Sequence, residues 1–234
     1  MGRTGFQPVF EKAAGLLINL FISSRLKTAF ALIVLGVDLA LAQFPRPESR
    51  GVINDPDGFT NVRTQPSEQA AIAARVKVGE IFKYKAAEKE GWWKVTLASG
   101  KTGWMHSSRI RMFFVPEDLI VAENDEANIY ARTHGIDDYL SLVRAAAKKD
   151  PRAMQKFFGL GCDGAACDTH FEIAIRLIHI LGDDTLAKFL THQSSAYLEK
   201  VTELVTNDIA LPPFEPVSYT KRNFPKTARL LFPH

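Results

Sequence analysis

Phe82-Lys83-Tyr84-Lys85 and Trp93-Lys94-Val95-Thr96-Leu97 decide the fold of this chain. In both stretches a bulky apolar side chain alternates with a polar one. A β-strand sends successive side chains to opposite faces, so each stretch predicts a strand with one dry face and one wet face. Working outward, Asp55-Pro56-Asp57-Gly58, Lys89-Glu90-Gly91 and Ser99-Gly100 supply residues that tolerate tight or left-handed backbone geometry. Gly51 to Ile110 therefore reads as several short strands joined by turns. Strands this short bury their apolar faces by curling into a small β-barrel. No crossover helix fits between them, which excludes a parallel sheet.

At these residues the chain resembles the bacterial SH3-like (SH3b) domain family. The resemblance is carried by four blocks in order: Asp55-Pro56-Asp57-Gly58-Phe59-Thr60-Asn61-Val62-Arg63 with Pro66-Ser67; Gly79 leading into a strand; Gly91-Trp92-Trp93-Lys94-Val95; and Gly100-Lys101-Thr102-Gly103-Trp104-Met105-His106-Ser107-Ser108. It is limited to about residues 51–111, roughly a quarter of the chain. It implies a noncatalytic module that holds cell-wall peptide, peptidoglycan or a protein partner. It implies nothing about the remainder.

The chain has 234 residues, 46% of them hydrophobic and 24% charged, which gives room for two modest domains and excludes global disorder. The 29 basic and 26 acidic residues leave a formal charge of +3, part of it in the N-terminal segment and the tail. No nucleic-acid footprint emerges from this balance, and none is expected among the partners.

Residues 1–42 hold two apolar runs, Ala13 to Ile22 and Thr28 to Ala42. The second lies behind Arg25 and Lys27 and ends in Ala40-Leu41-Ala42, which predicts a signal peptide cleaved between Ala42 and Gln43. The expected location is periplasmic or extracellular. The alternative is an uncleaved anchor, the only expected contact with a membrane. Asp38 argues against a spanning helix, because a charge in hydrocarbon costs about 2.5 to 3.5 kcal/mol. No Cys follows Ala42, so no lipid anchor is indicated. Residues 43–50, with Pro45 and Pro47, read as a linker ahead of a barrel spanning 51–113.

Alternation puts Trp92 on the face opposite Trp93 and Val95, making it the exposed aromatic of the pair. Exposed indoles anchor ligands by offering apolar area and one donor at low entropic cost, though Trp92 also suits a cap on the barrel end. Asn61 and Arg63 share a face with Phe59 and offer an amide and a guanidinium to a peptide or carboxylate. The plainer roles are an Asn61 that satisfies the preceding turn and a solvated Arg63. His106 is the fourth candidate for the contact surface, set against a structural role. Asp55 and Asp57 with Gly58 look superficially like a calcium loop, but its later ligands are missing, and a turn is expected.

After Pro116 the period becomes helical, giving a multidomain β + α fold in which an all-α bundle follows the barrel. Residues 114–135 form a connector, open between a short helix and irregular chain. Within a helical domain at 136–207, Asp137 or Asp138 caps a helix running to Lys148-Lys149, and Asp150-Pro151 starts another that Gly159 and Gly161 stop. The central helix is expected at about Cys167 to Leu181, with Ile173, Leu177, Ile180 and Leu181 on one stripe and Phe171, Ile175 and Ile178 elsewhere. Gly182 ends it, Asp183 or Asp184 caps the next helix, and Ser194 or Ser195 the last. His179 lies inside the apolar stretch as a hydrogen-bonded core or boundary residue, while Glu172, Glu199 and Glu203 read as solvated. The proline-containing tail, 208–234, is expected to be extended through Leu211 to Pro216. It then either wraps the helical domain with Phe214, Tyr219, Phe224 and Leu231 or docks on its own barrel through the Pro213–Pro216 spacing.

Cys162 and Cys167 bracket four residues, and in an exported chain they are expected to form a disulfide, worth about 2 kcal/mol in the chain-entropy model. A metal would need more ligands than His170, Asp163 and Asp168 offer, and neither metal nor cofactor is expected. Three functions follow: an exported noncatalytic binder acting through the barrel; an interaction protein with its partner surface on the helices; and, least favoured, a cysteine hydrolase of cell-wall peptides using Cys167 with His170, His179 or His192. Gly161-Cys162-Asp163-Gly164 does not match that hydrolase family's block around its nucleophile.

Overall fold

The computed structural model describes residues 49–86, 91–123, 125–206 and 215–233. The predicted signal peptide with Ala42 and Gln43, most of the linker, Lys89-Glu90 and the Pro213 half of the PxxP spacing lie outside them. Among the described residues, seven antiparallel strands are followed by seven α-helices.

The strands are β1 (Ser49–Ile53), β2 (Phe59–Arg63), β3 (Ile72–Lys77), β4 (Phe82–Lys85), β5 (Trp92–Leu97), β6 (Thr102–His106) and β7 (Ile110–Met112), curled in the order β3-β2-β6-β5-β4-β1-β7. The alternation seen in the sequence is obeyed: Phe82, Tyr84, Trp93 and Val95 are buried while Lys83, Lys85 and Lys94 are exposed. Tyr84 pairs with Val95 across β4 and β5, and its ring stacks on Trp93 at 5.3 Å. Val62, Val76, Met105 and Ile110 complete the core.

The first turn is closed by Asp55. Its backbone carbonyl accepts from the Gly58 amide (3.1 Å), one carboxylate oxygen accepts from the Asp57 amide (3.1 Å), and the other accepts from the Thr60 hydroxyl (2.8 Å) beside Arg109 (3.3 Å). Burial pushes this carboxyl up, but those bonds and Arg109 outweigh it and leave it below the usual range. Gly58 sits at φ 78°, which a side chain would strain.

Gly103 is required for a different reason. A Cβ there would lie 2.5 Å from Val62 Cγ1 and 2.6 Å from the Arg63 carbonyl oxygen, so β2 and β6 approach across a missing side chain. Gly103→Ala is expected to cost about 2–3 kcal/mol by overpacking, read in a urea melt. A loss below about 0.5 kcal/mol would show that the strands do not meet there.

Helices α1 (Glu126–Thr133), α2 (Tyr139–Ala147), α3 (Pro151–Gly159), α4 (Ala165–Leu190), α5 (Ser195–Thr206), α6 (Pro216–Asn223) and α7 (Pro225–Leu231) form the second half. Both forms open to the 114–135 stretch occur: a 3-10 turn at Pro116–Asp118, then helix α1 capped by Asp125. Asp138 caps α2, Asp150 caps α3 ahead of Pro151, and Ser194 accepts from the Tyr197 amide at the start of α5. Helix α4 is central, packing against α1, α2, α5 and α7. Phe171, Ile173, Ile175, Leu177, Ile178 and Leu181 are all buried, so it is covered on several sides, and Gly182 breaks it at φ 75°, ψ 163°. The Cys162–Cys167 disulfide staples the preceding loop to its first turn.

The stretch expected to be extended, Leu211 to Pro216, lies mostly outside the described residues. From Pro216 the tail is helical: Glu215 caps α6 by accepting from the Val217 and Ser218 amides, and Pro216 and Pro225 serve as first helical residues, where a missing N–H costs nothing. One expectation is corrected. Asp183 spends its carboxylate on another helix, accepting from the Lys226 and Thr227 amides at the start of α7.

The helical tail joins the two halves. The Asn54 side-chain amide donates to the Arg222 carbonyl and to Asn223 Oδ1, both at 2.9 Å, and the Met112 amide donates to the Tyr219 hydroxyl (2.9 Å). That hydroxyl lies 2.7 Å from His179 Nε2, and His179 Nδ1 lies 2.7 Å from the Ile175 carbonyl. The only consistent protonation puts hydrogen on Nδ1, with Nε2 accepting from Tyr219. Across the same seam Arg50 reaches Asp118 (2.6 Å), and Arg176 donates to the Asp118 carbonyl (2.6 Å).

Candidate functional site

No Asp or Glu occurs in any of the seven strands; their charged residues, Arg63, Arg75, Lys83, Lys85 and Lys94 among them, are all basic. Lys83 and Lys85 project outward from β4 and Lys94 from β5, whose alternate residues fill the core. The outer surface of the sheet is thus cationic, and four aromatic rings interrupt it.

Cross-strand register gathers three of the four predicted contact residues. Trp92 lies opposite His106, and Lys94 opposite Trp104, across β5 and β6; Arg63 of β2 lies opposite Trp104 on its other side. The Trp92 and His106 rings meet edge to face at 5.5 Å and 86°. His106 Nδ1 accepts from the Ser108 amide (3.3 Å) and lies 2.7 Å from the Ser108 hydroxyl, capping the 3-10 turn Ser107–Arg109. With Nδ1 accepting, the neutral ring carries its proton on Nε2. A Cβ at Gly91 would come within 3.0 Å of that nitrogen, so the ring is seated against a position that has no side chain. Trp92, Trp104 and His106 are each half-buried.

Arg63, opposite Trp104 in the ladder, donates to the Ala70 carbonyl (2.8 Å), which ties the β2–β3 loop and fixes its guanidinium there. Asn61 is not brought into this group. Its carbonyl oxygen accepts from Arg75 Nε (3.2 Å), and the Arg75 guanidinium lies 4.8 Å over the Phe59 ring, so Asn61 belongs to a separate cluster facing β3. Trp104 and Lys94 complete the patch and were absent from the predicted surface. The same alternation locates both: Gly103 and Met105 are buried, so Thr102, Trp104 and His106 face outward.

In the helical half, both sulfurs are spent in the Cys162–Cys167 disulfide, and the chain has no other cysteine. His170 is buried, its Nδ1 2.8 Å from the Tyr139 hydroxyl. Its Nε2 makes no hydrogen bond of good geometry, although the Leu160 backbone slightly favours the charged ring. Burial drives its pKa down to about 4. His192, the remaining histidine of the hydrolase reading, is exposed on the turn after α4. Among the described residues no group of three or more His, Cys, Asp and Glu is placed to hold a metal ion, and no helix is long and apolar enough to cross a membrane.

No curated protein sequence matches the chain. Residues 58–111 match the family model described as bacterial SH3 domain, a span that runs from β2 into β7, and the helical half takes no part in that likeness.

Proposed function

We propose that the protein is an exported, noncatalytic binder whose barrel recognises cell-wall peptide or peptidoglycan through the outer patch of Trp92, Trp104, His106, Arg63 and Lys94. The observation that carries this reading is the register that lines these residues up on a sheet surface without a carboxylate on its strands. Cell-wall peptides present free carboxylates and amides on a flexible backbone. Half-buried indoles supply apolar area at fixed positions, while Arg63 and Lys94 supply charge beside them. The disulfide is compatible with export, because such bonds persist in oxidising compartments.

A pull-down of the intact protein on purified peptidoglycan tests it. Trp92→Ala with Trp104→Ala is expected to lower retention about thirtyfold, the scale of losing about 2 kcal/mol at a hot spot. Retention equal to that of the unchanged protein, with the fold intact by circular dichroism, would refute the patch as the binding surface.

A further inference from the structure

We infer that the groove between α1, α3 and α5 is a second binding site, for a short carboxylate-bearing peptide. It has a volume of about 840 Å³. That lies within the range that holds small ligands. Every ionisable side chain around it that carries charge at neutral pH is basic: Lys156 on α3 and Lys200 on α5 stand on its walls, and no Asp or Glu lines it. His134 is stacked on Tyr130 at 4.1 Å on the α1 side and adds a flat aromatic surface.

Three further features fit a peptide. The floor is the Gly159-Leu160-Gly161 segment, whose exposed Gly161 leaves main chain open to another main chain. Lys200 is held in place by donating to the Gly159 carbonyl (3.2 Å), so its charge is positioned before any ligand arrives. Ser194, Ala196 and Tyr197 bring the amide-rich first turn of α5 to the rim, where the helix dipole favours an anion. Beneath the floor, Tyr130, Leu160 and Gly161 also pack over His170, a 1% exposed ring whose Nε2 faces the Leu160 backbone without a well-formed hydrogen bond.

The inference stands apart from the barrel patch, and its test separates the two. A fluorescein-labelled Ala-Glu-Ala-Glu-Ala-Glu peptide is titrated with the intact, oxidised protein in about 50 mM salt, where charge attraction is little screened, and followed by anisotropy. Its Gln counterpart is the control. The Glu peptide is expected to bind at least about tenfold tighter, and Lys156→Glu with Lys200→Glu to abolish that preference. Lys156→Gln, which leaves the Lys200 contact untouched, is expected to weaken binding severalfold with an unchanged melting temperature. Trp92→Ala with Trp104→Ala is expected to leave it unaltered. Equal affinity for the two peptides, or a preference that survives the lysine reversals or disappears with the tryptophans, overturns the site.

Discussion

Acidification from about pH 6.5 to about pH 4 is expected to remove several kcal/mol of folding stability, because two histidines are held neutral inside the protein. His170 and His179 each have a pKa driven down to about 4, first by burial; the Arg111 charge adds to the effect at His179, and the Ile175 carbonyl opposes it. The unfolded chain takes up protons at these rings near pH 6.5, while the folded protein refuses them until about pH 4. Stability is therefore fully present above about pH 6.5 and is lost as the pH falls through that window, to a limit of about 3 kcal/mol per ring. Asp55, Asp138 and Glu215 have lowered pKa values and lose their contributions at still lower pH, so the window belongs to the histidines. Urea melts at about pH 7 and about pH 4.5 give the slope directly, and His170→Gln or His179→Gln should each flatten it. A stability that does not change across this range would show that neither ring is neutral by burial.

Tyr219→Phe is expected to cost about 2–4 kcal/mol for one oxygen atom, since the change leaves two groups without partners at once. The Tyr219 hydroxyl donates to His179 Nε2 on α4 and accepts from the Met112 amide on β7, and the residue is 1% exposed. The Met112 amide should also exchange its hydrogen much faster in the variant. A melt within about 0.5 kcal/mol of the unchanged protein, with Met112 still protected, would mean that the seam does not depend on this bond.

How much of this was legible in the sequence depended on the range of the interaction. Phe82 to Lys85 and Trp92 to Leu97 declared their inward and outward faces because a strand's period is two and local. Asp138, Asp150 and Ser194 declared helix starts because a cap acts within three residues, and the disulfide followed from two cysteines five positions apart. Asp183 misled for the same reason. It has the right type to cap the helix that follows, yet its carboxylate serves amides more than forty residues away. The tail's two helices went unread because proline is taken to end a helix, while Pro216 and Pro225 sit at first helical positions, where an N–H would have no intrahelical partner.

The candidate site divides along the same line. Trp92, Arg63 and His106 were visible singly, as outward residues of recognisable strands; their grouping around Trp104 was not, since it depends on which strand lies beside which.

By itself, then, the sequence determined a β-barrel with its inward face, a helical second half, most of the caps and the disulfide, because each is set by periodicity or by contacts a few residues long. Only the tertiary structure decided that β2 lies against β6 through Gly103, that Asn61 turns away toward Arg75, and that the tail becomes two helices tying Asn54 and Met112 to the core. Those arrangements join residues from 14 to 169 positions apart, at distances over which the pattern of one segment carries no information about its partner.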